Sequence, residues 1–192
     1  MRDCSWIPNK FENAHPGNFN CCSDRTCELP NGGYNCIAWA AGKRDNWWWP
    51  VDDPTAFWPI PLDPDDPESL EQFIKAFATE GYYPCEKQNP RFENGFEKVA
   101  IFVDGDGVTH AARMLPSGIW TSKMGKGEDI EHKRLKVVEG KEYGKAKTFL
   151  KRPNPLCQKP NLLKKLFSRL LEFSRARLKQ FSPIAKRNQM SN

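Results

Sequence analysis

The run from Glu97 to Leu115 constrains this chain more than any other. Glu97-Lys-Val-Ala-Ile-Phe-Val103 and Val108-Thr-His-Ala-Ala-Arg-Met-Leu115 are rich in strand-forming residues, and Asp104-Gly-Asp-Gly107 lies between them. Two such runs joined by a short Asp/Gly turn read as an antiparallel hairpin. Pro116-Ser-Gly118 makes a second turn into Ile119–Lys123, so three strands form a meander. The Asp-Gly-Asp-Gly turn superficially resembles a calcium loop. An EF-hand loop, however, needs a glutamate at its twelfth position and a helix on each side, and here the flanks are strands.

Helical signals precede the meander. Tyr34–Gly42 is Ala-rich and apolar, with Asn35 as a cap and Gly42 as a stop. Residues 67–81 carry apolar side chains at 70, 73, 74, 77 and 78, with Ser69 or Asp66 to cap and Gly81 to end the helix. Between them, Trp47, Trp48, Trp49, Phe57 and Trp58 lie in a proline-rich loop with too many rings to be solvated. Most of them read as core, and Trp49 as a ring that lines a cleft.

Charge divides the chain. Residues 1–150 carry 18 Lys/Arg and 23 Asp/Glu, whereas residues 151–192 carry 11 Lys/Arg and one acid, Glu172. Leucines and phenylalanines at helical spacing over 161–181, with cations around them, predict a basic amphipathic helix. It would dock on the acidic body or contact a protein or anionic surface. No aromatic-and-basic strand motif of an RNA-binding module is present, so nucleic acid is not expected as a partner. The organisation expected is an irregular Cys/Pro-rich leader over 1–33, an α+β domain over 34–152 and a basic tail over 153–192. The apolar runs are too short for a membrane span, and the N-terminus lacks the apolar stretch of a signal peptide, which together predict a cytoplasmic protein. Seven cysteines, an odd number, then read as reduced thiols. Vicinal Cys21-Cys22 without a Cys-x-x-Cys pair gives no zinc signature, so neither metal nor cofactor is expected.

The chemistry concentrates on Cys36 and His110. A cysteine at a helix start feels unpaired N–H groups that favour the thiolate, and a nucleophilic cysteine also needs a base within reach. His110, on the second strand of the meander, supplies that base. Asp129 is the candidate to orient the imidazole, with Thr121 and Ser122 as weaker ones. The Cys36 N–H would serve an oxyanion, with Asn31 or Tyr34 beside it, and Arg113 and Lys123 flank the expected cleft.

Tyr34-Asn-Cys-Ile-Ala-Trp-Ala-Ala-Gly42, Trp47-Trp-Trp-Pro50, Thr109-His-Ala-Ala-Arg113, Gly118-Ile-Trp-Thr-Ser-Lys-Met-Gly125, Asp129-Ile-Glu-His132 and Tyr143-Gly144 together resemble an uncharacterised bacterial domain family over residues 30–152. The Asn-Cys helix start and the His-Ala-Ala-Arg block are also similar to papain-like bacterial cysteine amidases and peptidases. That similarity implies a papain-like α+β fold, with the Cys-bearing helix packed on a small antiparallel sheet. It also implies Cys36 as nucleophile, His110 as base, and a peptide or amide substrate. Thr121-Ser122-Lys123 departs from the Ser-His-Lys of those domains. The alternative reading is a non-catalytic binding module in which Cys36 is a core residue.

Overall fold

The computed structural model describes residues 4–22, 33–105 and 107–154. Its centre is β5 (Phe96–Asp104), where Val99, Ala100, Ile101 and Phe102 are all fully buried. Alternation sends Val99 and Ile101 to one apolar cluster and Ala100 and Phe102 to another, so the strand is covered on both faces. Each fully buried Val, Ile or Phe contributes about 1.5–3 kcal/mol.

On one side β5 pairs with β6 (Gly107–Met114), which continues through β7 (Trp120–Lys123) and β8 (Asp129–His132) to the edge strand β1 (Phe19–Cys21). On the other side it pairs with β9 (Lys145–Pro153), and β9 pairs with the short β4 (Tyr83–Pro84). All these pairings are antiparallel, in the order β1-β8-β7-β6-β5-β9-β4. The meander expected from the sequence is the β5–β6–β7 part of this sheet. A register shift between Phe102 and Val103 makes a bulge at Thr109, whose hydroxyl donates to the Tyr143 carbonyl at 2.7 Å.

One face carries α2 (Cys36–Ala41) and α3 (Leu70–Ala78), with Trp48 from a two-residue parallel pair, β2 (Trp47–Trp48) and β3 (Ala56–Phe57). The opposite face carries Ile7 of α1 (Ile7–Lys10), Phe11, and Leu135 and Val137 of a single 3-10 turn, Leu135–Val137. Trp48 is buried, while Trp49 packs edge-on against Phe73 and donates its indole N–H to Glu68 at 2.9 Å. The tryptophans therefore fill and brace the loop.

The papain-like α+β architecture expected above is corrected here. The described chain is mostly antiparallel sheet, seven strands wide. Its α-helices are only 4, 6 and 9 residues long, so a Cys-bearing helix on a small sheet does not describe it. The leader is not irregular either, because it supplies a helix and an edge strand. Nor are all its thiols reduced, since Cys4 and Cys21 form a disulfide. Contacts gather the described residues up to Pro153 into one compact unit. The helix expected over 161–181 lies outside the described residues.

Candidate functional site

Asn35 builds the Cys36 position. Its backbone is extended, its side-chain oxygen accepts the Ala38 N–H at 3.1 Å and the Trp48 N–H at 3.3 Å, and its amide donates to the Trp48 carbonyl at 2.7 Å. One side chain thus caps α2 and ties it to β2. Gly42, at φ +88°, ends the helix in the left-handed conformation. Cys36 is the first helical residue and is buried. Burial pushes its thiol up to about 11, while the backbone N–H groups of Ala111, Ile37 and Cys36 itself act the other way by favouring the thiolate. Burial wins in the resting structure.

Ala111 is the strand neighbour of His110. The His110 ring is fully buried, stacks on Tyr143 with centroids 4.0 Å apart and planes 4° from parallel, and meets Phe102 edge-on at 5.2 Å. Its Nε2 lies 3.0 Å from Ser122 Oγ, Ser122 Oγ lies 2.9 Å from His132 Nε2, and His132 Nδ1 lies 2.9 Å from the Arg134 carbonyl. Burial holds both imidazoles below their ordinary range, His132 at about 4, and the nearby His132 further disfavours protonation of His110. With both rings neutral, the proton positions follow from bonding capacity. A carbonyl only accepts, so His132 Nδ1 carries its proton and Nε2 is the acceptor. Ser122 must then donate to His132 and accept from His110, which places the His110 proton on Nε2. His110 Nδ1 remains as a bare lone pair, buried and without a hydrogen-bond partner.

Cys36 and Ala111 belong to the apolar cluster on the α2 face, whereas His110 packs on Phe102 and Tyr143 of the opposite cluster, and no hydrogen bond joins thiol and imidazole. The Tyr143 hydroxyl is raised, first by burial and then by Cys36.

Asp129 does not orient His110. Its carboxylate accepts the Tyr34 hydroxyl at 2.9 Å and lies 3.8 Å from the Lys123 ammonium. Lys123 is fully buried, donates to the Gly127 carbonyl and sits 5.5 Å from the Tyr34 ring. Tyr34, Lys123 and Asp129 are therefore one buried ionic cluster. The Tyr34 hydroxyl is pushed well above its ordinary value, by burial first and then by Asp129. Arg113 lies 4.5 Å over the Trp39 ring, whose indole donates to Thr121 at 3.0 Å. Asn31 lies outside the described residues. Among the described residues no group of three or more His, Cys, Asp or Glu side chains is placed to hold a metal ion.

Sequence reading missed His132 and ranked Ser122 low. Its available signal was register. Ser122 pairs with Ala112, two residues beyond His110, and His132 pairs with Trp120, two residues before Ser122. Residues two apart share a face, so all three side chains meet.

These features define a sheet-centred domain with a buried helix-start cysteine on one face and a polarised His–Ser–His chain on the other. The chain belongs to a family described as a domain of unknown function, DUF7689, whose model matches residues 27–151. No curated protein and no solved structure matches it. Among the described residues no helix is long and apolar enough to cross a membrane.

Proposed function

We propose that this domain is a cysteine hydrolase acting on amide or acyl bonds. The observation that carries the reading is the tautomer of His110. Its Nε2–H is committed to Ser122, and Nδ1 is left as a buried acceptor next to the residue whose N–H approaches the Cys36 sulfur. A general base needs a fixed ring and one open lone pair, and this ring has both. The resting structure keeps the thiol and the imidazole in clusters on opposite faces of the sheet, so the reaction requires the two to be brought together. The thiol proton then passes to His110 Nδ1 and the sulfur attacks the carbonyl carbon. The imidazolium then gives the proton to the leaving amine or alcohol as the acyl–sulfur bond replaces the acyl–nitrogen or acyl–oxygen bond. Water, deprotonated by Nδ1, hydrolyses the thioester and restores the thiol. Ser122 takes the orienting role expected of Asp129.

The binding-module reading is favoured by one fact, the burial that keeps the Cys36 thiol neutral. The pH dependence of Cys36 carboxamidomethylation, in wild type and His110→Ala, separates the two readings. Hydrolase chemistry gives labelling below pH 7 that the substitution abolishes. Labelling that rises only above an ordinary thiol pKa of about 8.5, unchanged by the substitution, makes Cys36 structural.

A further inference from the structure

Remote from Cys36, two turns are held rigid around an open cleft, and both are pinned from below by buried groups. Lys98, only 1% exposed, donates to the carbonyls of Asn89 at 3.2 Å and Arg91 at 2.7 Å. Its ammonium also lies 3.4 Å from Glu93, whose carboxylate binds Lys151 at 2.7 Å. A buried ammonium that caps loop carbonyls fixes the loop that presents Arg91 and Phe92. Facing it, His132 donates to the Arg134 carbonyl, and the buried Leu135 and Val137 anchor the turn that presents Lys133, Arg134 and Lys136.

Between the turns lies a cavity of about 510 Å³ with Met114, Trp120 and Phe149 in its floor and Phe92 at its rim. Phe92 is 50% exposed, with its ring over Gly118. Lys133, Arg134 and Lys136 line this cavity and also a second one of about 360 Å³, whose other walls include Asn13, His15 and Asn18. Arg91 is a fourth cation in the lining of the larger cavity, and none of the four has a carboxylate partner among the described residues. The one carboxylate in the larger lining, Glu139, accepts the Ala146 N–H.

We infer that this two-lobed cleft binds a nucleotide, its base stacked on Phe92 and its phosphates along Lys133, Arg134 and Lys136. The volume suits a small ligand. A half-exposed ring beside a ridge of free cations selects a planar group that carries charge, by stacking and by charge-assisted hydrogen bonds. Four cations exceed what a carboxylate or a single phosphate ester neutralises, which favours a polyphosphate chain over a phosphotyrosine side chain or an acidic peptide. Apart from His132, which braces the Arg134 carbonyl from the His110–Ser122–His132 chain, none of these residues belongs to the Cys36–His110 site. Neither Phe92→Ala nor Arg134→Glu alters a side chain of that hydrogen-bonded chain, so the inference stands or falls separately from the hydrolase reading.

The test is calorimetric titration of the full chain with ATP, tripolyphosphate and a phosphotyrosine peptide at physiological salt. Wild type is compared with Phe92→Ala and Arg134→Glu, both surface changes that leave the thermal midpoint in place. Stacking predicts ATP binding about tenfold tighter than tripolyphosphate, a preference that Phe92→Ala removes. Loss of one charge-assisted contact predicts that Arg134→Glu weakens both ligands about tenfold. Equal affinity for ATP and tripolyphosphate, untouched by Phe92→Ala, overturns the inference in favour of general attraction to the cationic chain. Tighter binding of the peptide than of ATP overturns it in favour of a protein partner. The absence of saturable binding at millimolar ATP overturns it outright.

Discussion

Ser122 is bonded on both sides, and its removal exposes what the chain of bonds does. Ser122→Ala leaves His110 Nε2–H and His132 Nε2 buried and unpaired, each at a cost of about 1–3 kcal/mol. It also frees the imidazole to turn, which lowers the low-pH labelling rate of Cys36 about tenfold or more. Asp129→Asn lowers stability by unbalancing the Tyr34–Lys123–Asp129 cluster but leaves that labelling rate in place. Thermal melts paired with labelling rates separate the two roles, and equal effects on labelling would restore Asp129 as the orienting group. His132 adds a pH signature. The unfolded chain protonates this histidine below about 6.5, while the folded protein resists until about 4. Stability is therefore full above pH 6.5 and declines as pH falls towards 4, by about 3 kcal/mol from this residue. His132→Gln flattens that decline in urea midpoints measured from pH 7 to 4. An unchanged slope would assign the acid sensitivity elsewhere.

At the scale of elements, legibility followed the strength of local signals. The β5–β6 hairpin, the start and stop of α2, and α3 with its Ser69 cap were readable because turn chemistry, caps and apolar spacing agree over each segment. Strand β9 was not readable. Lys145-Ala-Lys-Thr-Phe-Leu-Lys-Arg-Pro153 buries only Thr148, Phe149 and Leu150, and its strand identity comes from pairing along most of β5. Strand β1, three residues long, is likewise made by β8. With both added, the sheet is seven strands wide, and the expectation of a Cys-bearing helix packed on a small antiparallel sheet fails. In the site, Cys36 and His110 were legible as residue types at element positions, whereas the Ser122–His132 link depends on cross-strand register. Gly144 shows how tightly the elements close. At φ +64°, a Cβ there would be driven into the Val103 carbonyl. Gly144→Ala thus meets both backbone strain and a clash with main chain, and its cost exceeds about 3 kcal/mol. A denaturant midpoint within error of wild type would contradict the packing of the β9 approach against β5.

Over the compact unit that ends at Pro153, the leader is attached by two independent means. Ile7 and Phe11 are buried in the cluster beneath the sheet, and the Trp6 indole donates to Glu128 at 2.9 Å. The Cys4–Cys21 disulfide then links the segment before α1 to the edge strand β1 across 17 residues of sequence. A loop of that length implies about 3 kcal/mol of stabilisation through the restricted unfolded chain. Reduction should therefore lower the thermal midpoint by several degrees without undocking the leader, because the apolar anchors remain. Cys4→Ser should reproduce the reduced midpoint and be insensitive to reductant. Amide exchange at Ile7 and Phe11 gives the second readout. Protection retained in Cys4→Ser means that the apolar face holds the leader and the disulfide adds only chain restriction. Protection lost there would make the cross-link the primary attachment, with Ile7 and Phe11 buried only while it is intact.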